Sequence, residues 1–424
     1  MSKSVVSVVR GTDAERMVSE ALSILGGISS LVKPNSTVVV KPNAGHSFPP
    51  ETSVNTSPEV VAAVIKELRK AQPKEIIMAE AAAGGRDTLE CFEVSGQRKA
   101  AEEAGVDRII DIKREKDLIS IPIRDAMSDL TRVLLPRFLL EADHIVNLPI
   151  FKPHVSMVFT CALKNIKGIV QDKVHFEMHQ TDLAAAMMDL WSIIKPDLSI
   201  ADMINPQEGF GPQCGLPIYF GCIVAGKDPV AVDATACRMV GLNIDKVTYF
   251  KAARKRGLGN FGERNIEIRG RTIEEVFKQI WLPYLGGFEQ WPEYHIYAQG
   301  ACSNCLSLAA YTMESLKALG AYDKNAGVSI VLGPKKELPK GVPPKDLVLM
   351  GNCVKRHRKQ GLFVEGCPPG EPSVYWSIIE RLDSDKRGSG PEVTERRNAE
   401  VKIITEHAKR VREKVRSELD KPES

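Results

Sequence analysis

No stretch of the 424-residue chain approaches the roughly 18 consecutive apolar residues that a membrane-spanning helix needs. An export signal is missing too. In MSKSVVSVVRGTD the apolar run is short, interrupted by Ser7 and closed by Arg10, so it reads as a first strand and a cytoplasmic location is expected. Charge of one sign is also lacking. With 57 Lys and Arg against 54 Asp and Glu, the net charge of +3 makes no whole-chain field for nucleic acid, so any partner must be recognised locally. Neither a G-x-G-x-x-G after a strand nor a P-loop is present, which argues against an NAD or ATP site.

Short runs rich in Val and Ile are present: SVVSVV (4–9), STVVVK (36–41), EIIMAE (75–80), HIVNLP (144–149), LSIADM (198–203) and YFGCIVAG (219–226). Between several of them lie helix-period segments such as SPEVVAAVIKELRKA (57–71), which opens on an N-cap Ser and a Pro at N1. The alternation predicts an α/β fold with a large, mostly parallel-sheet domain over 1–290. Gly, Pro and aromatics in PYLGGFEQWPEYHI (283–296) break the periodicity. A second alternation comes next, predicting a smaller α/β cysteine-rich domain over 291–382. The remainder, 383–424, is strongly charged, but Ile404, Ala408, Val411, Val415 and Leu419 recur at helical spacing. They predict one amphipathic helix, docked on the body or joining subunits in a homo-oligomer.

Nine cysteines in a cytoplasmic chain do not read as a disulfide framework, which gives weight to metal binding or catalysis. Cys222 and Cys237 lie in apolar stretches and are expected in the core. Cys302, Cys305, Cys353 and Cys367 all come after strands predicted in the small domain, so parallel pairing would bring four sulfurs to one sheet edge. That arrangement suits a 4Fe-4S cluster, as does the Pro after Cys367. Zinc and a thioredoxin-like dithiol at Cys302 and Cys305 are the alternatives.

In open α/β sheets, ligands bind beyond the carboxyl ends of the strands. Lys41 and Asn43 come at the end of the second strand, and Glu80 ends the third. The fourth strand and the segment after it supply Asn147, Lys152, His154, Lys164 and Asn165. Asp202 and Glu208 come from the fifth; Asp228 and Asp233 lie beyond the sixth. A ring of this kind predicts a site for a small anionic substrate, with the cations as anchors and His154, Lys152 and Lys164 as the groups that move protons or react. His175 and His179, four apart, could form a metal pair on a helix face.

The segments VVKPNAGHSFPPETSVNTSPEVVAAVI, EADHIVNLPIFKPHVSMVFTCALKNIKGIV, DMINPQEGFGP and GKDPVAVDATACRMVGL, in this order over about 36–242, resemble the family of the domain of unknown function 362. The resemblance implies iron-sulfur chemistry, because members often carry such centres in an attached ferredoxin-like module. The single C-x-x-C with two later cysteines then implies one cluster. PHVSMVFTCALKNIKG is also similar, more distantly, to the nickel-pincer lactate racemase family, with His154 and Lys164 in comparable places and His179 matching a later His. The Ser-Gly-Gly that precedes the lysine in that family is absent here, so the similarity implies shared architecture. The expected function is an iron-sulfur redox enzyme of anaerobic metabolism, with a ferredoxin-like redox partner. A racemase-like isomerase and a non-catalytic electron-transfer or cluster-scaffold protein are the alternatives.

Overall fold

The computed structural model describes residues 3–282, 288–334, 337–384 and 391–419. Parts of the expected break at 283–296 and of the polar stretch 383–392 lie outside the described residues, as does the side chain of Leu419. The large sheet has eight strands, in the order Ile266–Gly270, Ser4–Arg10, Cys222–Gly226, Leu198–Met203, His144–Leu148, Thr37–Pro42, Glu75–Glu80 and Arg108–Asp111. Seven run the same way. Cys222–Gly226 alone is antiparallel to both neighbours. The α/β fold with a mostly parallel sheet, expected from the alternation, is the one observed.

Side-chain alternation along each strand divides the core into two layers. Val38 and Val40 pack with Ile76 and Met78 beneath the helices Ala14–Ile24 and Pro58–Lys70. Val39 and Ile77 face the other way, toward the helices Leu183–Ile193 and Pro229–Met239. With both faces covered, the central strands can be apolar throughout, which is why they read as continuous Val and Ile runs. Ser57 stands at the expected N-cap position, but its hydroxyl makes no cap bond there and instead donates to Asp202 Oδ2 at 2.7 Å.

A second sheet is formed by His295–Tyr297, Ser329–Leu332, Leu347–Met350 and Leu362–Val364, paired in chain order and all parallel. The helices Ser303–Ala318 and Glu371–Glu380 cover one face. The charged tail forms one helix, Pro391–Leu419, whose Val401, Ile404 and Ala408 are buried in that same core. Burying Ile404 alone contributes about 1.5–3 kcal/mol. Much of the tail's apolar stripe therefore packs on its own chain. Among the described residues, no helix is long and apolar enough to cross a membrane.

Candidate functional site

The carboxyl ends of the strands Thr37–Pro42, Glu75–Glu80 and His144–Leu148 open onto a cavity of about 610 Å³. It is closed on the far side by the segment 369–376 and by the start of the tail helix, through Val393, Thr394, Arg397 and Asn398. Its walls carry six basic side chains, Lys41, Arg86, Lys152, Lys164, Lys167 and Arg397, against two carboxylates, Glu80 and Glu371. Basic groups outnumber carboxylates on these walls, so a small anion would find complementary charge and N–H donors there.

A continuous hydrogen-bond chain forms the floor. Lys41 Nζ lies 2.6 Å from Glu80 Oε2 and 3.1 Å from Asn165 Oδ1. Asn43 Nδ2 donates to the same Asn165 oxygen at 2.8 Å, while Asn43 Oδ1 accepts from Lys152 Nζ at 2.8 Å. Lys152 also donates to the carbonyl of Val54. Asn165 is held from below by Asn147, whose Oδ1 accepts from Asn165 Nδ2 at 2.8 Å. Gly168 lies where any side chain would collide with this floor, since a Cβ would sit 1.7 Å from Glu80 Oε1.

Above the floor stand the groups capable of proton chemistry. His154 Nδ1 is 3.1 Å from Ser156 Oγ and 3.9 Å from Glu371 Oε1. Burial, then the charges of Lys164 and Lys152, push its pKa well below the ordinary histidine value, so its imidazole is neutral at neutral pH. Burial lowers Lys164 to about 8, against the opposing pull of Glu371. Lys164 Nζ makes no hydrogen bond among the described residues, so its ammonium is open to a ligand. His46 also lines the cavity, and its buried Nδ1 has no hydrogen-bond partner among the described residues. The helix residues His175 and His179 do turn the same way, but Lys167 Nζ lies between them, 2.9 Å and 2.6 Å from their Nε2 atoms.

Seven of the expected ring residues thus meet at the cavity: Lys41, Asn43, Glu80, Lys152, His154, Lys164 and Asn165. The other five do not line it. Asn147 is one layer beneath. Asp202 accepts from Ser57 N and Oγ and from Ile204 N, bracing the start of the helix Pro58–Lys70. Glu208 is fully buried and holds the tail helix through Arg416, 2.5 Å away. Asp228 comes after the one reversed strand, so it emerges at the opposite sheet edge, where it caps the helix Pro229–Met239. Asp233 accepts from Ala162 N and Leu163 N, bracing the segment that carries Lys164. The polar cluster assigned to the sixth strand assumed a parallel strand.

The four late cysteines share one edge of the small sheet, because their loops leave parallel strands. Cys302 is the N-cap of the helix Ser303–Ala318, and a hydrogen bond from the Cys305 thiol, with helix N–H groups, lowers its pKa to about 6. The Cys305 thiol is pushed up by that same bond, by burial and by the charges of Cys302, Cys367 and Cys353, so all four groups feel one another. Burial raises Cys367 to about 12. Among the described residues, no three His, Cys, Asp or Glu side chains are gathered tightly enough for a single metal ion. The donor set is nonetheless the all-thiol set that iron-sulfur clusters use.

The thiol edge abuts the cavity. Cys367 N–H donates to the backbone oxygen of His179 at 3.2 Å, and Leu183 N–H donates to the Cys367 carbonyl at 3.2 Å. Four residues beyond Cys367, Glu371 faces His154 and pairs with Arg397 at 3.3 Å.

Residues 38–238 match the family model described as a domain of unknown function (DUF362). The resemblance read from the four segments holds over that span. The chain is also 27% identical over 248 residues to the thylakoid-associated protein sll1697 of Synechocystis sp., covering 56% of this chain and 73% of that protein. Among solved structures it is similar to the lactate racemase apoprotein of Thermoanaerobacterium thermosaccharolyticum, with a TM-score of 0.40 and 11% identity over 96% of this chain and 81% of that one. A Thermotoga maritima protein from a structural genomics programme gives a TM-score of 0.36 and 13% identity, covering 91% of this chain and 86% of that one.

His46, Arg86, Glu371 and Arg397 were not singled out from the sequence. His46 and Arg86 lie in the very segments that carry Lys41 and Glu80, where His46 in KPNAGHS was the available signal. Glu371 comes just after Cys-Pro-Pro-Gly, and nothing in the pattern of the tail separates Arg397 from its many neighbouring charges.

Proposed function

We propose that the chain is a cytoplasmic iron-sulfur enzyme that exchanges electrons with a small anionic molecule held in the cationic cavity. The observation that carries this reading is the direct contact of the two sites through the Cys367–His179 backbone bond, with the His179 imidazole on the cavity wall. Cys302, Cys305, Cys353 and Cys367 would hold a 4Fe-4S cluster, which supplies one-electron transfer when bound.

The chain's own groups do the rest. Lys164 and Arg397 anchor the anion, Lys152, whose pKa burial drives well below the usual lysine value, holds Asn43 beside it, and the fixed Lys41–Glu80 floor sets its depth. The Ser156 backbone N–H donates to His154 Nδ1 at 3.3 Å, which puts the proton of the neutral imidazole on Nε2, from where it is given to the substrate and taken back. A one-electron protein of the ferredoxin kind is the redox partner this requires. The test is the EPR spectrum of the dithionite-reduced protein with and without saturating oxalate or phosphate. An anion bound beside the cluster alters the spectrum. An unchanged spectrum, with anion binding shown independently, rules out this placement.

A further inference from the structure

The four cavity lysines differ in what holds their nitrogens. Lys41 is fixed by Glu80, Asn165 and the Pro42 carbonyl, and Lys152 by Asn43 and the Val54 carbonyl. Lys164 has no hydrogen bond among the described residues but faces the charge of Glu371. Lys167 is different in kind. Its two hydrogen-bond partners are imidazole nitrogens, Nε2 of His175 and Nε2 of His179, and no carboxylate among the described residues pairs with it.

A neutral amine has two N–H bonds and one lone pair. With both imidazoles protonated on Nδ1, the two Nε2 atoms at 2.9 Å and 2.6 Å accept from those two N–H bonds, and Nζ has no third hydrogen-bond partner among the described residues, so its lone pair is left for a ligand in the cavity. Burial, with the Lys164 charge beside it, drives the Lys167 pKa well below the usual lysine value, as a desolvated nucleophilic amine requires.

We infer that Lys167 is a nucleophile that condenses with the carbonyl carbon of a small oxo acid bound in the cavity, forming an imine. This rests on the reading of the cavity as an anion site and names the class of anion. The Nζ lone pair forms the C–N bond as the carbonyl π bond breaks, and one N–H proton passes through an Nε2 of the His pair to the carbonyl oxygen, giving the carbinolamine. The second N–H proton passes through the other Nε2 to the carbinolamine hydroxyl, which leaves as water while the nitrogen forms the C–N double bond. One C–N double bond and one water replace the amine and the carbonyl, and no oxidant or reductant takes part. The carboxylate of the oxo acid is held by the same cations that the cavity directs at any anion.

The holoprotein is incubated anaerobically with glyoxylate and, separately, pyruvate in the presence of cyanoborohydride, digested, and mapped by peptide mass spectrometry. Each unit by which a lysine's pKa falls below the exposed value gives about tenfold more free amine at neutral pH, so labelling of Lys167 should exceed that of exposed lysines at least about tenfold. Oxalate, an anion without a reactive carbonyl, should suppress that label. Lys167→Arg should lose it, and the rise in melting temperature that oxalate causes in the unaltered holoprotein reports the anion site separately. Labelling that falls on Lys164, or evenly over exposed lysines, overturns the inference. Oxalate binding without a Lys167 adduct overturns it and leaves the anion site standing, whereas absence of both overturns the anion site and the inference together.

Discussion

Lys41 Nζ and Glu80 Oε2 lie 2.6 Å apart with only 1% and 2% of their side chains exposed, and Gly168 leaves room for the pair and nothing more. Burial pulls the lysine's pKa down and pushes the carboxyl's up, each opposed by the partner's charge. Removing one partner leaves the other charge buried without its ion pair. Glu80→Ala should therefore cost about 3–5 kcal/mol in urea denaturation, and joint replacement of both residues by Met should cost less than Glu80→Ala alone. Gly168→Ala forces the pair apart and should cost about 1–3 kcal/mol.

Lys164 bears on pH. An anion gains from its ammonium form, and that form is lost as pH rises through about 8. Oxalate affinity, followed by calorimetry across that value, should fall with an inflection near it. Lys164→Gln should weaken binding at neutral pH and remove the inflection. An inflection that persists in the variant would assign the titration to another cavity group.

Arg397 is the main cation paired with Glu371 and reaches Tyr375 Oη at 2.7 Å, which ties the tail helix to the cavity wall. Arg397→Met leaves a partly buried carboxylate short of its cation and should cost about 1–3 kcal/mol in stability. Adding Glu371→Gln should recover part of that loss, a coupling that a double-mutant cycle measures. Additive losses would mean that the pair does not act as a unit.

The fold was legible because a parallel sheet covered on both faces writes itself as Val and Ile runs alternating with helical periods. Lys41, Asn43, Glu80 and the Lys152–Asn165 cluster were legible for the same reason: the carboxyl ends of parallel strands share an edge. Asp228 misled because strand direction is not encoded in an apolar run, and CIVAG reads alike whichever way it points. Asp233 and Glu208 misled because a buried carboxylate bracing a backbone turn, or pairing an arginine of a distant helix, looks in sequence like a catalytic acid. Glu371 and Arg397 reach the cavity only by tertiary folding, from segments more than 200 residues beyond the lysines they face.

The proposed function stands or falls on a cluster at Cys302, Cys305, Cys353 and Cys367 beside the anion cavity. Anaerobic purification followed by iron, sulfide and zinc quantification, with visible spectra before and after dithionite, tests it most directly. The expected result is about four iron and four sulfide per chain, a visible absorption that bleaches on reduction, and loss of both in Cys302→Ser with the fold retained. A colourless protein holding one zinc would contradict it.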